Sequence, residues 1–575
     1  MEGLTPDYFT GRMFRRQFGP ALASALGLAV SDMADALVVG RRMGAVGLAA
    51  ISLALPVLMV MNVLMHGFGL GGSICYSIQQ AKGERDQALA GFQGVLTSAV
   101  LTGAVLAVLG SLFLTPLLDL LGTTAEDGLL FETSRTYLQI ILWGTPLLFA
   151  SYGLDYFLRN DGQEKLASAA FITGNLTDFV LNFVFVLFLD LGAAGAAWAT
   201  LIGQVLSFSI GSVGVLRKSG SLSYFPFRPD FKGVFECFRV GFSSSSQYLF
   251  SMLFILIANN VLLEWSGSGG VAVFDLIQNT SFLILYLYMG AGKAAQPILS
   301  TFQGEYNQDG QHRALALALI WGTAVGGAAI CAVALFPGTV CSLFGLTGEA
   351  AALGCYALRV YCLSAGLAGI NVVLEAYCQS CGRKTGAFLL AVLRGAALLL
   401  PFTLLFAALG ENAFWWLFPV TEAGTLLIFL LVRGRLKGGE EIDPARIFRR
   451  TIQSRNEEIS SLTLKIEEFC EKWDANVKQT YFVTMSVEEL CAVILQKGFQ
   501  GAGGWIQVTL VAQEDGDFTL HIRDSAVYFD PFSMKARRMD EGGDMDALGV
   551  LVIRKKAKEF FYRRYQGFNS LIVRI

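Results

Sequence analysis

From residue 17 to residue 432 the chain is a succession of long apolar runs, each broken by Gly, Pro or a charge. They lie at 17–39, 46–72, 88–113, 133–157, 166–189, 193–216, 240–263, 270–291, 314–336, 352–378, 386–409 and 412–432. A helix needs ~20 apolar residues to cross the bilayer core, so the pattern predicts twelve transmembrane helices. Past Lys437 the periodicity changes. Residues 446–453 alternate like a strand, 456–473 and 486–498 have helical spacing, and 505–512 and 517–523 read as a strand pair across Glu514-Asp515-Gly516. Residues 546–558 are again helical, and 560–575 supplies two more strands. The fold class expected is a polytopic α-helical membrane protein (1–432) joined through a linker (433–445) to a small α/β sandwich domain (446–575).

Composition supports this division. The 575 residues are 54% hydrophobic and 15% charged, against ~25% charged in soluble domains, which excludes an ordinary soluble enzyme. Forty-six charged residues serve positions 1–432, and 43 serve the last 143. A net charge of −3 with short basic clusters gives no footprint for a nucleic-acid partner. The ten cysteines have neither disulfide nor zinc spacing; Cys378 and Cys381, a lone CxxC, read as packing residues, as does His66. The first apolar run follows Arg12, Arg15 and Arg16 and lacks a small-residue cleavage site, so it reads as an uncleaved span. Loops on one side hold Lys82, Arg85, Arg159, Lys165, Arg217, Lys218, Arg313, Arg383 and Lys384, whereas the opposite loops are mostly acidic despite Arg41 and Arg42. The positive-inside bias then places both termini in the cytoplasm, and the expected location is the cytoplasmic membrane of a bacterium.

The hairpins on the basic side repeat. Gln79-Gln80-Ala81-Lys82-Gly83 recurs as Ser300-Thr301-Phe302-Gln303-Gly304, and Arg159-Asn160-Asp161-Gly162-Gln163 as Gln379-Ser380-Cys381-Gly382-Arg383, with glycine offsets of 221 and 220 residues. Two halves, about 10–218 and 235–432, are therefore expected to be duplicated six-helix bundles. Matching bundles around a cavity are the plan of an alternating-access transporter.

Ionisable groups inside spans cost at least ~2.5–3.5 kcal/mol and so mark cavities and ion paths. Asp32 and Asp35 share a face of the first span; Asp178 shares a face of the fifth with Asn175 and Asn182; Asp275, Glu375 and Glu422 lie in the eighth, tenth and twelfth. A carboxylate flanked by amide oxygens can hold Na⁺ or a proton, or can join neighbouring helices by hydrogen bonds. Asp32, Asp275, Glu375 and Glu422, with Gln247 beside Ser243 to Ser246, are candidates for the substrate cavity. Lys293, Arg359 and Arg394 are the few intramembrane cations.

Several motifs, in order, resemble the multidrug and toxic compound extrusion (MATE) transporters: Asp35-Ala36-Leu37-Val38-Val39-Gly40, Leu158-Arg159-Asn160-Asp161-Gly162, Asn175 through Phe185, and Gly192-Ala193-Ala194-Gly195-Ala196-Ala197-Trp198-Ala199-Thr200. Ala295-Gln296-Pro297-Ile298 and Pro419-Val420-Thr421-Glu422 extend the resemblance into the second half. It implies a cation site at Asp35, Asp178, Asn182 and Thr200, with Asn175 beside it. The fifth-span pair is in swapped order, Asp before Asn, which moves the carboxylate about one turn, ~5–6 Å, and leaves Na⁺ and H⁺ both open.

The C-terminal segment is similar to the histidine-kinase-like ATPase fold, and in particular to anti-sigma-factor serine kinases. Val487-Glu488-Glu489-Leu490, Asp524-Ser525-Ala526-Val527 and Leu548-Gly549-Val550-Leu551 look like its helix, adenine and phosphate boxes. Three positions depart from it: Val493 stands where a Mg²⁺-binding Asn is expected, and Ala526 and Ala547 replace glycines. Asp524 remains as an adenine contact. The implied domain is a pseudo-ATPase that gates the transporter or binds a regulatory protein.

The resulting expectation is a secondary active exporter of amphipathic or cationic organic molecules, driven by Na⁺ or H⁺, with no resident cofactor, no enzymatic activity and, lacking a Gly-rich loop ending in Lys-Ser/Thr, no ATP drive. A lipid-linked saccharide flippase would carry more basic residues in its cavity. A membrane sensor signalling through the C-terminal domain is the other alternative.

Overall fold

The computed structural model describes residues 8–121, 123, 128–217, 220–245, 247–343, 346, 348–436, 442–533 and 546–575. Within them, the side chains of 29–49, 247–249, 266–269 and some scattered positions lie outside the described residues. The first half runs through α1 (Tyr8–Lys82), α2 (Arg85–Leu112), the short α3 (Leu114–Leu121), α4 (Leu129–Asn160), α5 (Glu164–Asn182) and α6 (Gly192–Leu216). The second half begins with α7 (Val234–Ser245), α8 (Gln247–Gly304), α9 (Gln308–Leu335) and the short α10 (Pro337–Leu343). It continues with α11 (Gly348–Ser380), α12 (Lys384–Val392), α13 (Leu399–Ala408), α14 (Glu411–Phe414) and α15 (Leu417–Val432).

Among the described residues, ten helical segments are long and apolar enough to cross a membrane, five in each half. The two other predicted spans, 17–39 and 240–263, run into the stretches whose side chains lie outside the described residues.

Two of the helices are too long to be single spans. In α8 the rings of Phe254 and Phe274 stand 5.7 Å apart, where a straight helix would separate them by about 30 Å. At one end of α1, Tyr8 packs on Trp505 at 5.9 Å, and Gly83, just past its other end, lies against Ile572 of the same small domain. Each element therefore doubles back as antiparallel segments.

The duplication is visible in the helices themselves. α2 and α9 are both 28 residues long. Gly162 (φ +84°) and Gly382 (φ +67°) occupy the same left-handed position between α4 and α5 and between α11 and α12. There Gln163 N donates to Leu158 O at 2.9 Å and Arg383 N to Cys378 O at 2.7 Å. An L side chain resists this backbone conformation, hence the two glycines. The other hairpin corrects the sequence alignment. Gly83 (φ +90°) is matched by Tyr306 (φ +52°), not by Gly304. Glu84 N bonds Gln79 O just as Asn307 N bonds Phe302 O, so the offset here is 223. Gly304 is the last helical residue of α8, and it is glycine because α8 crosses α1 there: a Cβ would stand 2.4 Å from Ala81 Cβ.

The C-terminal domain comprises β1 (Ile447–Gln453), α16 (Asn456–Lys472), α17 (Val477–Val493), β2 (Trp505–Ala512), β3 (Phe518–Asp524), α18 (Asp546–Lys556), β4 (Glu559–Tyr565) and β5 (Phe568–Arg574). The strands form one antiparallel sheet in the order β1-β2-β3-β5-β4. α17 starts at Val477, nine residues before the apolar periodicity suggests at 486, because an Asn476–Gln479 capping box starts the helix and Lys478, Gln479 and Thr480 make its first turn polar. One sheet face, with Ile506, Val508, Leu520, Ile522, Leu571 and Val573, packs on Leu462, Ile466, Val487 and Leu490 of the helices. The other face carries Thr509, His521, Arg523, Arg563 and Ser570, and it is buried too. Polar side chains at such depth need partners, and the helical bundle supplies that of Arg523 in Glu305.

Candidate functional site

Asp178, Asn182 and Thr200 come together between α5 and α6. Thr200 Oγ1 and Asn182 Nδ2 each donate to Asp178 Oδ1 at 3.2 Å, and the carboxylate is 6% exposed. Gly203 of α6 makes room for this, since a Cβ there would stand 3.1 Å from Asp178 Cβ and 2.6 Å from Gly174 O. Asn175, one turn earlier, is buried with its Nδ2 unpartnered among the described residues. Both of these donors are neutral, and they fix the position of the carboxylate. The side chains of Asp32, Asp35, Gln247 and Asp275 lie outside the described residues.

In the second half, Glu375 and Glu422 meet around a residue that the sequence marks only as an intramembrane cation. Arg394 Nε lies 3.0 Å from Glu422 Oε2, and Arg394 Nη1 lies 3.8 Å from Glu375 Oε2. Asn371 Nδ2 adds a hydrogen bond to Glu422 Oε2 at 2.7 Å. The two carboxylates share one guanidinium, brought together from α11, α15 and the π-helix Leu393–Ala397. Positions 375, 394 and 422 are too far apart in sequence for any local pattern to pair them.

The bundle is closed at the end that carries the C-terminal domain. Ser77 Oγ and Thr301 Oγ1 of the two halves are 3.3 Å apart. α7 lies so close on α1 that a Cβ on Gly71 would be 1.9 Å from Cys237 O. The polar sheet face covers this closed end. On the second half, Arg523 is ion-paired with Glu305 and stands over the Phe302 ring at 5.3 Å. Arg449 lies 3.3 Å from Asp309 and donates to Tyr306 O at 3.2 Å. On the first half, Ile572 rests on Gly83, and Arg85 stands over Phe561 at 5.6 Å.

Tyr565 touches both halves: its ring is packed on Gly162 while its hydroxyl donates to Pro297 O at 2.8 Å. Burial, opposed by Glu305 and seconded by Arg523, Arg449 and Arg563, pulls His521 down to about 4, so it is neutral in this interface. Burial also raises the carboxyl of Asp161, which accepts from Tyr76 at 2.7 Å, with Arg563 opposing the shift. The contact thus sets arginines against Glu305, Asp309 and Asp161. On the domain side these contact residues do not stand out in the sequence, although Arg523 and His521 break the apolar run of β3 on alternate positions.

The residues at the supposed nucleotide pocket do not fit a magnesium nucleotide. Val493 is fully enclosed in the apolar core and has no ligand atom. The Glu489 carboxylate lies over Gly549, where a Cβ would be 2.1 Å from Oε2, and so fills space on the phosphate side. Ala526 packs against Gly498. Asp524 Oδ1 accepts from Ala526 N at 2.9 Å and from Asn569 Nδ2 at 2.8 Å, and burial raises this carboxyl to about 6. The side chain of Ala547 lies outside the described residues.

Comparison with known proteins places residues 20–184 and 240–405 on the family model MatE, one match in each half. The chain is similar to "Multidrug export protein MepA" of Staphylococcus saprophyticus, 27% identical over 410 residues that cover 68% of this chain and 86% of that protein. It is also similar to "Probable multidrug resistance protein YoeA" of Bacillus subtilis (strain 168), 26% identical over 339 residues covering 56% and 71%. Among solved structures, the fold matches "Outward-facing conformation of a multidrug resistance MATE family transporter of the MOP superfamily", with TM-score 0.69 and 22% identity over 76% of this chain and 99% of that one. The family match ends at residue 405, ahead of the C-terminal domain.

Proposed function

The chain belongs to the MatE family of multi-pass membrane transporters, and from that premise we propose that it exports amphipathic or cationic organic compounds across a bacterial cytoplasmic membrane as a Na⁺- or H⁺-coupled antiporter. Multidrug export is what the name of MepA states for that relative, and multidrug resistance is what the name of YoeA states for the other. In this reading the membrane part has twelve spans, and the closed end with its C-terminal domain faces the cytoplasm, in keeping with the basic loops there.

Coupling is carried by one observation, the convergence of Thr200 and Asn182 on the buried Asp178 carboxylate. An ionisable carboxyl buried at this depth is costly, so binding a cation or proton stabilises the state that holds it. Releasing that ion, with Asp35 as the partner carboxylate, alternates with substrate occupancy. Hydroxyl and amide oxygens beside a carboxylate are a donor set that suits Na⁺. The Glu375–Arg394–Glu422 cluster is the charged lining of the second half.

The C-terminal domain is a clamp on the cytoplasmic gate. Opening towards the cytoplasm separates the two halves, and Tyr565, in contact with both, must let go first. With no fit for a magnesium nucleotide, the domain works through docking.

The test is efflux of a fluorescent organic cation from proteoliposomes under imposed Na⁺ or H⁺ gradients. Wild type should respond to at least one gradient, and Asp178→Asn should abolish that response while the protein remains inserted. Gradient-driven efflux surviving in the variant would remove Asp178 from the coupling site.

A further inference from the structure

A cavity of about 680 Å³ opens beside the domain, where α1, the start of α5, the end of α6 and the β4–β5 turn meet. Arg16, Lys165 and Arg217 line it, each exposed. Glu164, its acidic member, is ion-paired with Arg159 and accepts from Ser168 Oγ at 2.9 Å. One wall is the surface of α6, where Val213 is 45% exposed and Ile210 is partly buried. Gln566 comes from the domain. It sits at the left-handed position of its turn (φ +53°), is 6% exposed, and its Nε2 has no hydrogen-bond partner among the described residues. A buried amide donor left unpaired costs about 1–3 kcal/mol, and the neighbouring cations make an anionic oxygen its natural acceptor. Arg16 is also pressed against Gly567 of the same turn, so the cavity includes the seam between domain and bundle.

We propose that this cavity is a headgroup site for an anionic phospholipid, whose phosphate is held by Arg16, Arg217 and Gln566 and whose acyl chain lies along Ile210 and Val213. Cations at the end of a span above an apolar wall match the two ends of such a lipid, whereas free phosphate would use only the polar half. The bound lipid joins α1 and α6 to the β4–β5 turn, and so fastens the domain to the first half. The assignment is independent of the compound exported and of the coupling ion.

Native mass spectrometry of the full-length protein released from mixed phosphatidylglycerol and phosphatidylcholine micelles tests it. Wild type should retain one phosphatidylglycerol selectively. The double variant Arg16→Gln, Arg217→Gln should lose affinity about thirtyfold, taking the usual contribution of two basic residues near an anionic headgroup. Gln566→Leu should weaken retention as well, and Lys232→Gln, outside the cavity, should not. Equal retention of the two lipids by wild type would overturn the proposal even if a variant failed to fold. Undiminished phosphatidylglycerol retention in the double variant would overturn it as well. Displacement of the lipid by millimolar inorganic phosphate would assign the site to free phosphate and overturn the lipid occupant.

Discussion

Glu305→Gln tests the clamp at its most consequential contact. Glu305 and Arg523 are 6% and 4% exposed and ion-paired across the seam between the second half and the domain. Removing one partner of a buried pair leaves the other charge stranded, at a cost of about 3–5 kcal/mol. The cation–π contact of Arg523 with Phe302 survives the change and holds the loss near the lower figure. A loss of ~3 kcal/mol raises the undocked population roughly a hundredfold.

Hydrogen exchange reads that population at the turn after α8. The amides of Tyr306 and Asn307 bond to Gln303 O and Phe302 O under the cover of Arg449 and Arg523. Their exchange should accelerate by about two orders of magnitude, whereas the β2–β3 ladder should keep its protection because the domain itself stays folded. Reversing both charges, Glu305→Arg with Arg523→Glu, should recover part of the loss. Acceleration of less than about fivefold, equivalent to ~1 kcal/mol, would show that the pair does not hold the domain down.

Docking should also depend on pH through His521. Its docked pKa of about 4 lies below the free value of 6.5, so the undocked state takes up the proton. Docking is then fully present above pH 6.5 and is lost as pH falls towards 4, with a change of roughly twentyfold between pH 7 and 5 if no other group responds. His521→Gln should flatten the same exchange measurement over that range, and an unchanged slope would exclude this histidine. Gly71→Val should block closure of the two halves, because its Cβ would fall 1.9 Å from Cys237 O. Efflux should cease and labelling of Cys237 by an impermeant maleimide should rise in inside-out vesicles; normal transport would refute tight packing of α1 on α7. Calorimetry of the whole protein with ATP, with and without Mg²⁺, should give no metal-dependent heat, since Val493 offers no ligand. Mg²⁺-dependent binding would reverse the reading of the domain.

The strands of the C-terminal domain are legible from alternation, and α17 is misjudged only at its start, where capping replaces apolar spacing. The duplication is legible from the hairpins, yet the 221-residue pairing of Gly83 with Gly304 fails. Sequence comparison cannot distinguish a glycine required by φ from one required by a helix crossing. Asp178 and Asn182 are visible as one helical face, and Thr200 enters through a family resemblance.

The sequence by itself determined which stretches lie in lipid and which in water, and which carboxylates are out of place, because bilayer thickness and helical or strand period act over short windows. Only the tertiary structure decided the partners: Thr200 on Asp178, Arg394 between Glu375 and Glu422, and Tyr565 across both halves. It alone explains the polar yet buried sheet face as well. Hydrogen bonds and ion pairs act over a few ångströms of space, and no spacing along the chain encodes contacts between residues hundreds of positions apart.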